Sequence, residues 1–101
     1  MAKLIYSDRA LADLERLTEF LPEDDPVAAL DTFELIEEAI VVLKRHPLIG
    51  RPVEAVLREV LISRGRTGYM ALYSFEPRHD TVLVLAVRYQ REAGYLNEVN
   101  E

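Results

Sequence analysis

The stretch TVLVLAVRYQREAGY, residues 81–95, joins an apolar run to a polar end. The apolar part extends from Val82 to Val87. Aliphatic and β-branched residues bounded by turn residues are typical of a strand buried on both faces. The polar end carries Arg88, Tyr89, Arg91 and Tyr95. Because a buried strand is a rigid support, we expect this end of the strand to be a candidate functional surface.

Two predicted strands precede this one in the chain. Residues 56–64 predict the first strand, and Gly65 and Gly68 permit a tight hairpin connection after it. Tyr69 to Glu76 predicts the second strand by its alternation of side chains. The residues on one of its faces are Tyr69, Ala71, Tyr73 and Phe75. With a turn at residues 77–80, this half of the chain predicts a three-stranded antiparallel meander.

The amino-terminal part of the chain has the 3.6-residue period of helices. A short strand at residues 3–6 ends at Ser7 and Asp8, either of which can cap the helix that follows. The apolar stripe of this helix is Ala10, Leu14, Leu17 and Leu21, and the residues off the stripe are Asp13, Glu15, Arg16 and Glu19. Pro22 ends this predicted helix.

A second helix is predicted to begin with Asp25 as its N-cap and Pro26 in its first position. Its apolar stripe is Ala29, Phe33, Ile36, Ile40 and Leu43, widened by Leu30, Leu35, Val41 and Val42. Residues 46–52, HPLIGRP, predict a constrained loop. The order of elements predicts an α+β fold, with an amino-terminal strand, an antiparallel two-helix hairpin and then the meander. We expect the helices on one face of the sheet, and a single domain over residues 1–101.

The composition narrows the class of protein. The chain contains no cysteine, which excludes disulfides and thiolate chemistry. Its apolar runs are too short to cross a membrane, and the amino terminus lacks the apolar segment of a signal peptide. We therefore expect a cytoplasmic protein without membrane association. The two histidines are isolated and the glycine motifs of nucleotide sites are absent, so we expect neither a metal nor another cofactor.

The net charge of −6 is unevenly distributed along the chain. Residues 1–50 carry 5 basic and 11 acidic side chains, whereas residues 51–91 carry 7 arginines and 4 acidic side chains. In an antiparallel meander, the first hairpin and the end of the last strand lie at the same end of the sheet. We therefore expect a cluster of Arg64, Arg66, Arg88 and Arg91, with Tyr69, Tyr89 and Tyr95 nearby. Such guanidiniums either face a polyanion or an acidic partner, or pair with local glutamates such as Glu59 and Glu92.

Four pieces of the chain follow one another in a characteristic order. They are Ser7–Leu14, Pro47–Pro52, Tyr69–Tyr73 and Val87–Arg91. In their order and spacing they resemble the ParE/RelE toxin superfamily, the toxin halves of bacterial type II toxin–antitoxin modules, often labelled plasmid stabilisation proteins. The resemblance covers essentially the whole chain and implies the strand, helical hairpin and meander described above.

The resemblance implies one of two activities. RelE-like members cleave mRNA in the ribosome without metal, using lysine, arginine and tyrosine side chains on the sheet. The residues left for that role here are Arg64, Arg66, Arg91 and Tyr95. ParE-like members inhibit DNA gyrase. In the RelE pattern an arginine stands six residues before the carboxy-terminal tyrosine, and Tyr89 occupies that position here.

This difference favours a ParE-like gyrase inhibitor over a metal-independent endoribonuclease. A gyrase inhibitor is not itself an enzyme, so the prediction favours a protein without catalytic activity. The residues predicted to bind the target or a partner are Arg58, Arg64, Arg66, Arg88, Tyr89 and Arg91. Met70, where the family often has arginine, and the acidic net charge also leave open a non-toxic interaction module. In each case the resemblance implies a cognate antitoxin, docked on the helical hairpin and the sheet edge, with an acidic segment facing the arginines.

Overall fold

Within the part of the chain that the structure describes, two α-helices and a five-stranded mixed sheet make up the fold, which confirms the predicted α+β class. A computed structural model describes residues 1–19, 26–64 and 67–90. The elements are β1 (Lys3–Tyr6), α1 (Asp8–Glu19), α2 (Pro26–Val41), β2 (Arg51–Glu54), β3 (Leu57–Arg64), β4 (Thr67–Glu76) and β5 (Thr81–Tyr89). Short 3₁₀ helices cover Val42–Lys44 and Pro77–His79. The predicted roles of Leu21, Pro22, Asp25 and Gly65 lie outside the described residues. No helix in these ranges is long and apolar enough to cross a membrane.

The sheet has the strand order β1-β5-β4-β3-β2. β1 runs parallel to β5, and the other neighbours are antiparallel. β5 is therefore an inner strand, as its apolar run predicts. Its two faces are not equally buried, however, because Val82 and Val84 are fully buried while Leu83 and Leu85 remain half-buried.

The predicted three-stranded meander is present as β3, β4 and β5 but is incomplete, because the structure adds β2 to it as a fourth antiparallel strand. The two prolines and the glycine of residues 46–52 predict a loop there, and this loop includes the first two residues of β2. Proline cannot donate a hydrogen bond in the middle of a sheet, but an edge strand tolerates it. β2 is that edge strand, and all four of its residues are exposed. A turn at Ala55 and Val56, with Ala55 at a φ of 49°, joins it to β3.

Helix α1 begins with the cap that the sequence predicts. The Ser7 Oγ accepts a hydrogen bond from the Ala10 N–H at 3.0 Å and donates one to the Leu85 carbonyl at 3.0 Å. Of the two predicted capping residues, Ser7 is thus the one whose side chain bonds to the helix. The same hydroxyl ties the start of α1 to β5.

Helix α1 does not only pack on a face of the sheet, as predicted, but also contacts an edge of β5. β1 pairs with β5 only as far as Tyr6 and Val84, so β5 continues beyond its strand partner. A register shift between Leu72 and Tyr73 marks an irregularity in β5 at the same point. There the Asp13 carboxylate accepts a hydrogen bond from the Val87 N–H at 2.9 Å. Helix α1 therefore satisfies backbone groups along an edge of β5 that β1 leaves uncovered.

Asp13 was predicted to lie off the apolar stripe of α1, and it is nevertheless buried. It is only 5% exposed. Its Oδ2 lies 4.0 Å from the Arg9 Nε, and its Oδ1 lies 3.8 Å from the Arg16 Nη2. A carboxylate is buried when it has charged and hydrogen-bonding partners, and here both kinds are present.

The core lies between the helices and one face of the sheet. It contains apolar residues of α1, of α2 and its 3₁₀ extension, and of the sheet, including Ala10, Leu14, Leu17, Ile36, Ile40, Leu43, Ile62, Tyr69, Ala71, Tyr73, Val82, Val84 and Val87. This confirms the predicted inward face of β4. Its fourth residue, Phe75, is partly buried and packs against the core cluster. The predicted stripe of α2 is too wide, because Phe33 is 41% exposed and Leu30, Val41 and Val42 are also exposed.

Candidate functional site

One face of the sheet points away from the core and is here called the second face. It carries three charged side chains of the candidate site, Arg51, Glu59 and Arg88. The pleat of the strands places Glu59, Leu61, Met70 and Arg88 on it, alternating with core residues such as Ile62 and Tyr69. Met70 is buried yet lies outside the core cluster, as expected for a residue on this face. Arg51 joins the group because β2 places it directly opposite Glu59.

One carboxylate on the second face contacts two guanidinium groups. The Arg51 Nη2 donates a hydrogen bond to the Glu59 Oε1 at 3.0 Å, and the Arg88 Nη2 lies 3.9 Å from the Glu59 Oε2. The Glu59 side chain is 6% exposed, against 16% for Arg88 and 74% for Arg51. These three residues, here called the Glu59 cluster, cross the sheet from β2 to β5.

Arg88 also ties the end of β5 to its own backbone. Its Nη1 donates hydrogen bonds to the Tyr89 and Gln90 carbonyls, both at 3.3 Å. The Gln90 N–H in turn donates to the Gly68 carbonyl at 2.8 Å, which continues the pairing of β5 with β4. The position of the Arg88 guanidinium is therefore set by contacts on both sides.

A second group of contacts holds the loop before β2 against the sheet. The Tyr73 hydroxyl donates to the Pro47 carbonyl at 2.8 Å and accepts from the Gly50 N–H at 2.9 Å. The Arg58 Nη1 donates to the Leu48 and Gly50 carbonyls at 3.1 and 2.7 Å. Burial raises the pKa of Tyr73, opposed by the Gly50 hydrogen bond and the charge of Arg58. These contacts of Tyr73 and Arg58 with residues 47–50 are here called the loop clamp. They give a structural role to the Pro47–Pro52 piece of the sequence.

Two tyrosines pack against each other on the core side of the sheet, at the end of β5. The rings of Tyr69 and Tyr89 have centroids 5.3 Å apart and are tilted by 32°. Burial raises the pKa of Tyr69, and a hydrogen bond with Thr32 of α2 opposes that effect. Tyr89 packs against the core cluster. Its ring therefore belongs to the face opposite the Glu59 cluster.

The structure describes only part of the predicted site. Arg88 and Tyr89 stand at the end of β5, and the backbone of Arg64 pairs with Thr67 at the same end of the sheet. Arg58 lies near the opposite end of β3, in the loop clamp. The side chain of Arg64 and all of Arg66, Arg91, Glu92 and Tyr95 lie outside the description. The predicted meeting of strand ends thus holds for the backbone.

Some residues of these clusters were not singled out from the sequence. Glu59 was considered as an arginine partner, and the structure pairs it with Arg88, but Arg51 was missed as its second partner. The signal was available: had β2 been predicted, the alternation of side chains would have placed Arg51 opposite Glu59. The roles of Asp13 and the Tyr73 hydroxyl had no signal of this kind, because each bonds a backbone group far away in the chain.

An apolar groove opens on the helical side of the molecule. It has a volume of about 370 Å³ and is lined by Tyr6, Leu11, Leu14, Phe33 and Ile36, together with Glu15 and Glu37. Burial, and to a smaller extent the charge of Glu37, raises the pKa of Tyr6. Leu11 and Phe33 are exposed. Within the described ranges no group of three acidic, histidine or cysteine side chains could hold a metal ion.

Comparison with known proteins gives a consistent group of relatives. Residues 4–94 match the family described as the ParE toxin of the type II toxin–antitoxin system parDE. The chain is 37% identical to Toxin RelE1 of Caulobacter vibrioides over 70 residues, 69% of this chain and 75% of that protein. It is 32% identical to Toxin RelE3 of the same organism over 92 residues, 91% and 98% of the two chains. A chromosomal ParDE toxin–antitoxin structure from P. aeruginosa superposes with a TM-score of 0.70 at 22% identity, covering 88% of this chain and 96% of that chain.

Proposed function

Because the chain belongs to the ParE toxin family of type II toxin–antitoxin systems, we propose that it is a ParE-like toxin that inhibits DNA gyrase and is neutralised by a cognate antitoxin. The match to this family over residues 4–94 carries the proposal. Gyrase is a cytoplasmic enzyme, so the proposal includes a cytoplasmic location for this chain.

The arrangement of the β5 end supports an inhibitor over a nuclease. Tyr89 stands where the RelE pattern has an arginine, and its ring packs with Tyr69 against the core. It therefore supplies no cation to the second face. The neighbouring Arg88 is engaged with Glu59 and with two backbone carbonyls. General acid–base catalysis needs a group that can reach and exchange a proton with its substrate, and these two residues do not provide one.

Purified protein is expected to inhibit negative supercoiling of relaxed plasmid by gyrase at micromolar concentration. Arg64→Ala, at the sheet end that also holds Arg88, is expected to weaken that inhibition about tenfold, as for an interface arginine. Arg78→Ala is the matched control, because Arg78 precedes β5 at the other end of the sheet and has the same charge. Unchanged supercoiling at micromolar wild-type protein would sink the gyrase proposal.

The alternative is a RelE-like ribosome-dependent endoribonuclease, with Arg64, Arg66, Arg91 and Tyr95 as its reactive groups. The names of the two Caulobacter relatives favour it. Primer extension on a translated mRNA after induction separates the two, since only the nuclease creates new 5′ ends. Induction without growth arrest would instead indicate a non-toxic interaction module.

We place part of the antitoxin in the apolar groove between α1 and α2. Exposed Phe33 and Leu11 would there be covered by an apolar segment of the partner, as in other helix-in-groove complexes. Large exposed apolar side chains that line one concave surface are a mark of interaction sites. The acidic segment expected of an antitoxin would reach the arginines beyond this groove.

Phe33→Ala is expected to weaken antitoxin binding at least tenfold while leaving the thermal unfolding midpoint nearly unchanged. The reason is that an aromatic anchor contributes strongly to an interface, whereas a side chain already 41% exposed contributes less to the core. Val56→Ala, in the β2–β3 turn, is the matched control for removal of exposed apolar surface. Calorimetric titration with the antitoxin measures both, and equal affinities for the two variants would refute this placement.

A further inference from the structure

We propose that Glu59 is a specificity-determining residue that keeps the second face of the sheet from binding nucleic acid. Its carboxylate occupies the place where a phosphate would meet Arg51 and Arg88. The inference does not depend on gyrase being the target, because it concerns which ligand this face rejects.

The geometry of the Glu59 cluster supports this role. Each carboxylate oxygen of Glu59 faces a different guanidinium, Arg51 at 3.0 Å and Arg88 at 3.9 Å. Guanidinium groups recognise carboxylates and phosphates by the same fork of donors. The carboxylate thus fills, from within the chain, the position that an external anion would take between the two arginines.

Burial makes the carboxylate hard to displace. Glu59 is 6% exposed, so a phosphate that took over both guanidiniums would leave a buried negative charge without these partners and close to the phosphate itself. Taking two cationic partners from a buried carboxylate and bringing like charges together are both unfavourable. The Arg51 guanidinium is 74% exposed, but the Glu59 carboxylate at 3.0 Å already offsets its positive charge.

The surroundings of the cluster also suit a protein partner better than a polyanion. A cavity of about 200 Å³ is lined by Arg51 and Glu59 of the cluster, and its other lining residues are uncharged: Ile49, Gly50, Val60, Leu61 and Met70. Ile49 and Leu61 are exposed. Apolar side chains contribute nothing to phosphate binding, which depends on cations.

Glu59→Gln tests the proposal, since it keeps the shape of the side chain and removes its charge. The probe is fluorescein-labelled oligouridine of about twelve nucleotides, within the length range bound by single-strand-binding surfaces. Fluorescence anisotropy at about 0.15 M ionic strength, where the Debye length is about 8 Å, is expected to show at least tenfold tighter binding by E59Q than by the wild type. If Arg51 and Arg88 each take one phosphate, the slope of log affinity against log salt becomes steeper by about 1.4.

Glu54→Gln is the matched control, because Glu54 is an exposed glutamate on β2 and its substitution changes the net charge by the same amount. Its affinity is expected to stay within about twofold of the wild type, since surface charge away from the cluster acts weakly through salt. Equal gains for E54Q and E59Q, or no gain for a folded E59Q, overturn the proposal. Circular dichroism melts establish that each variant is folded.

Arg51→Ala keeps the test decisive if E59Q does not fold. In the otherwise wild-type chain it is expected to leave oligouridine binding unchanged, because Glu59 already offsets the charge of Arg51. A tenfold loss on this substitution would mean that Arg51 binds phosphate in the presence of Glu59, and the proposal would fall. The supercoiling assay has a separate readout, so either result is distinguishable from failure of the gyrase proposal.

Discussion

Replacing Asp13 by alanine is expected to lower the free energy of unfolding by about 3 kcal/mol, the usual effect of breaking a buried hydrogen bond to a charged group. The Asp13 carboxylate accepts the Val87 N–H at 2.9 Å, and without it that buried backbone donor has no partner on α1. Val87 immediately precedes Arg88, so we also expect the end of β5 to open more readily in amide exchange.

Two further variants identify the cause of this loss. Asp13→Asn keeps an oxygen acceptor but removes the charge, and it is expected to cost about half as much as alanine. Asp31→Ala removes an exposed carboxylate from α2 and is expected to change stability by no more than about 0.5 kcal/mol. Urea unfolding of the three proteins measures the differences. Similar losses for D13A and D31A would show that helix charge, and not the bond to β5, is responsible.

Replacing Gly50 by alanine is the second large effect, expected to cost about 3 kcal/mol, at the upper end for overpacking. A methyl group at this position would lie 2.7 Å from the Glu59 backbone oxygen and 2.7 Å from the Tyr73 hydroxyl. The backbone oxygen belongs to β3 and cannot move aside as a flexible side chain could. The loop must therefore shift, and the Gly50 N–H bond to Tyr73 is lost with it.

A double-mutant cycle with Tyr73→Phe tests this account. Tyr73→Phe alone removes two hydrogen bonds and is expected to cost about 2 kcal/mol. In the double variant the hydroxyl is no longer in the way and its bonds are already absent, so the combined loss is expected to be smaller than the sum. Leu48→Ala, an exposed side chain of the same loop, serves as control. Additive losses in denaturant unfolding would contradict the shared loop clamp.

The patterns that were predicted correctly are those carried by neighbouring residues. The cap at Ser7, the buried line of Ile36, Ile40 and Leu43, and the inward face of β4 follow from side-chain period and local hydrogen bonding. The meeting of strand ends near Arg64 and Arg88 follows from antiparallel topology. β2 was missed because the two prolines and the glycine of residues 46–52 predicted a loop, whereas an edge strand tolerates a proline such as Pro52.

Other properties have no local pattern to reveal them. Phe33 has the spacing of a core residue, yet it is exposed because α2 buries only one side of its apolar stripe. A stripe shows which residues could be buried together and does not show how far the sheet extends beneath them. The local sequence likewise does not show which groups Arg58 contacts. It was predicted as a binding residue, and in the structure its guanidinium bonds two carbonyls of the loop clamp.

The amino-acid order alone was enough for the α+β class and the inner position of the strand at residues 81–89, because these depend on periodicity. It was also enough for the toxin family, because four short pieces of the chain resemble that family. It was not enough to show how each charge is used. Asp13 bonds a residue 74 positions away, and Glu59 stands between arginines from two different strands. Such contacts arise from the register of the sheet and from α1 covering the edge of β5, and both are set only when distant segments pack together.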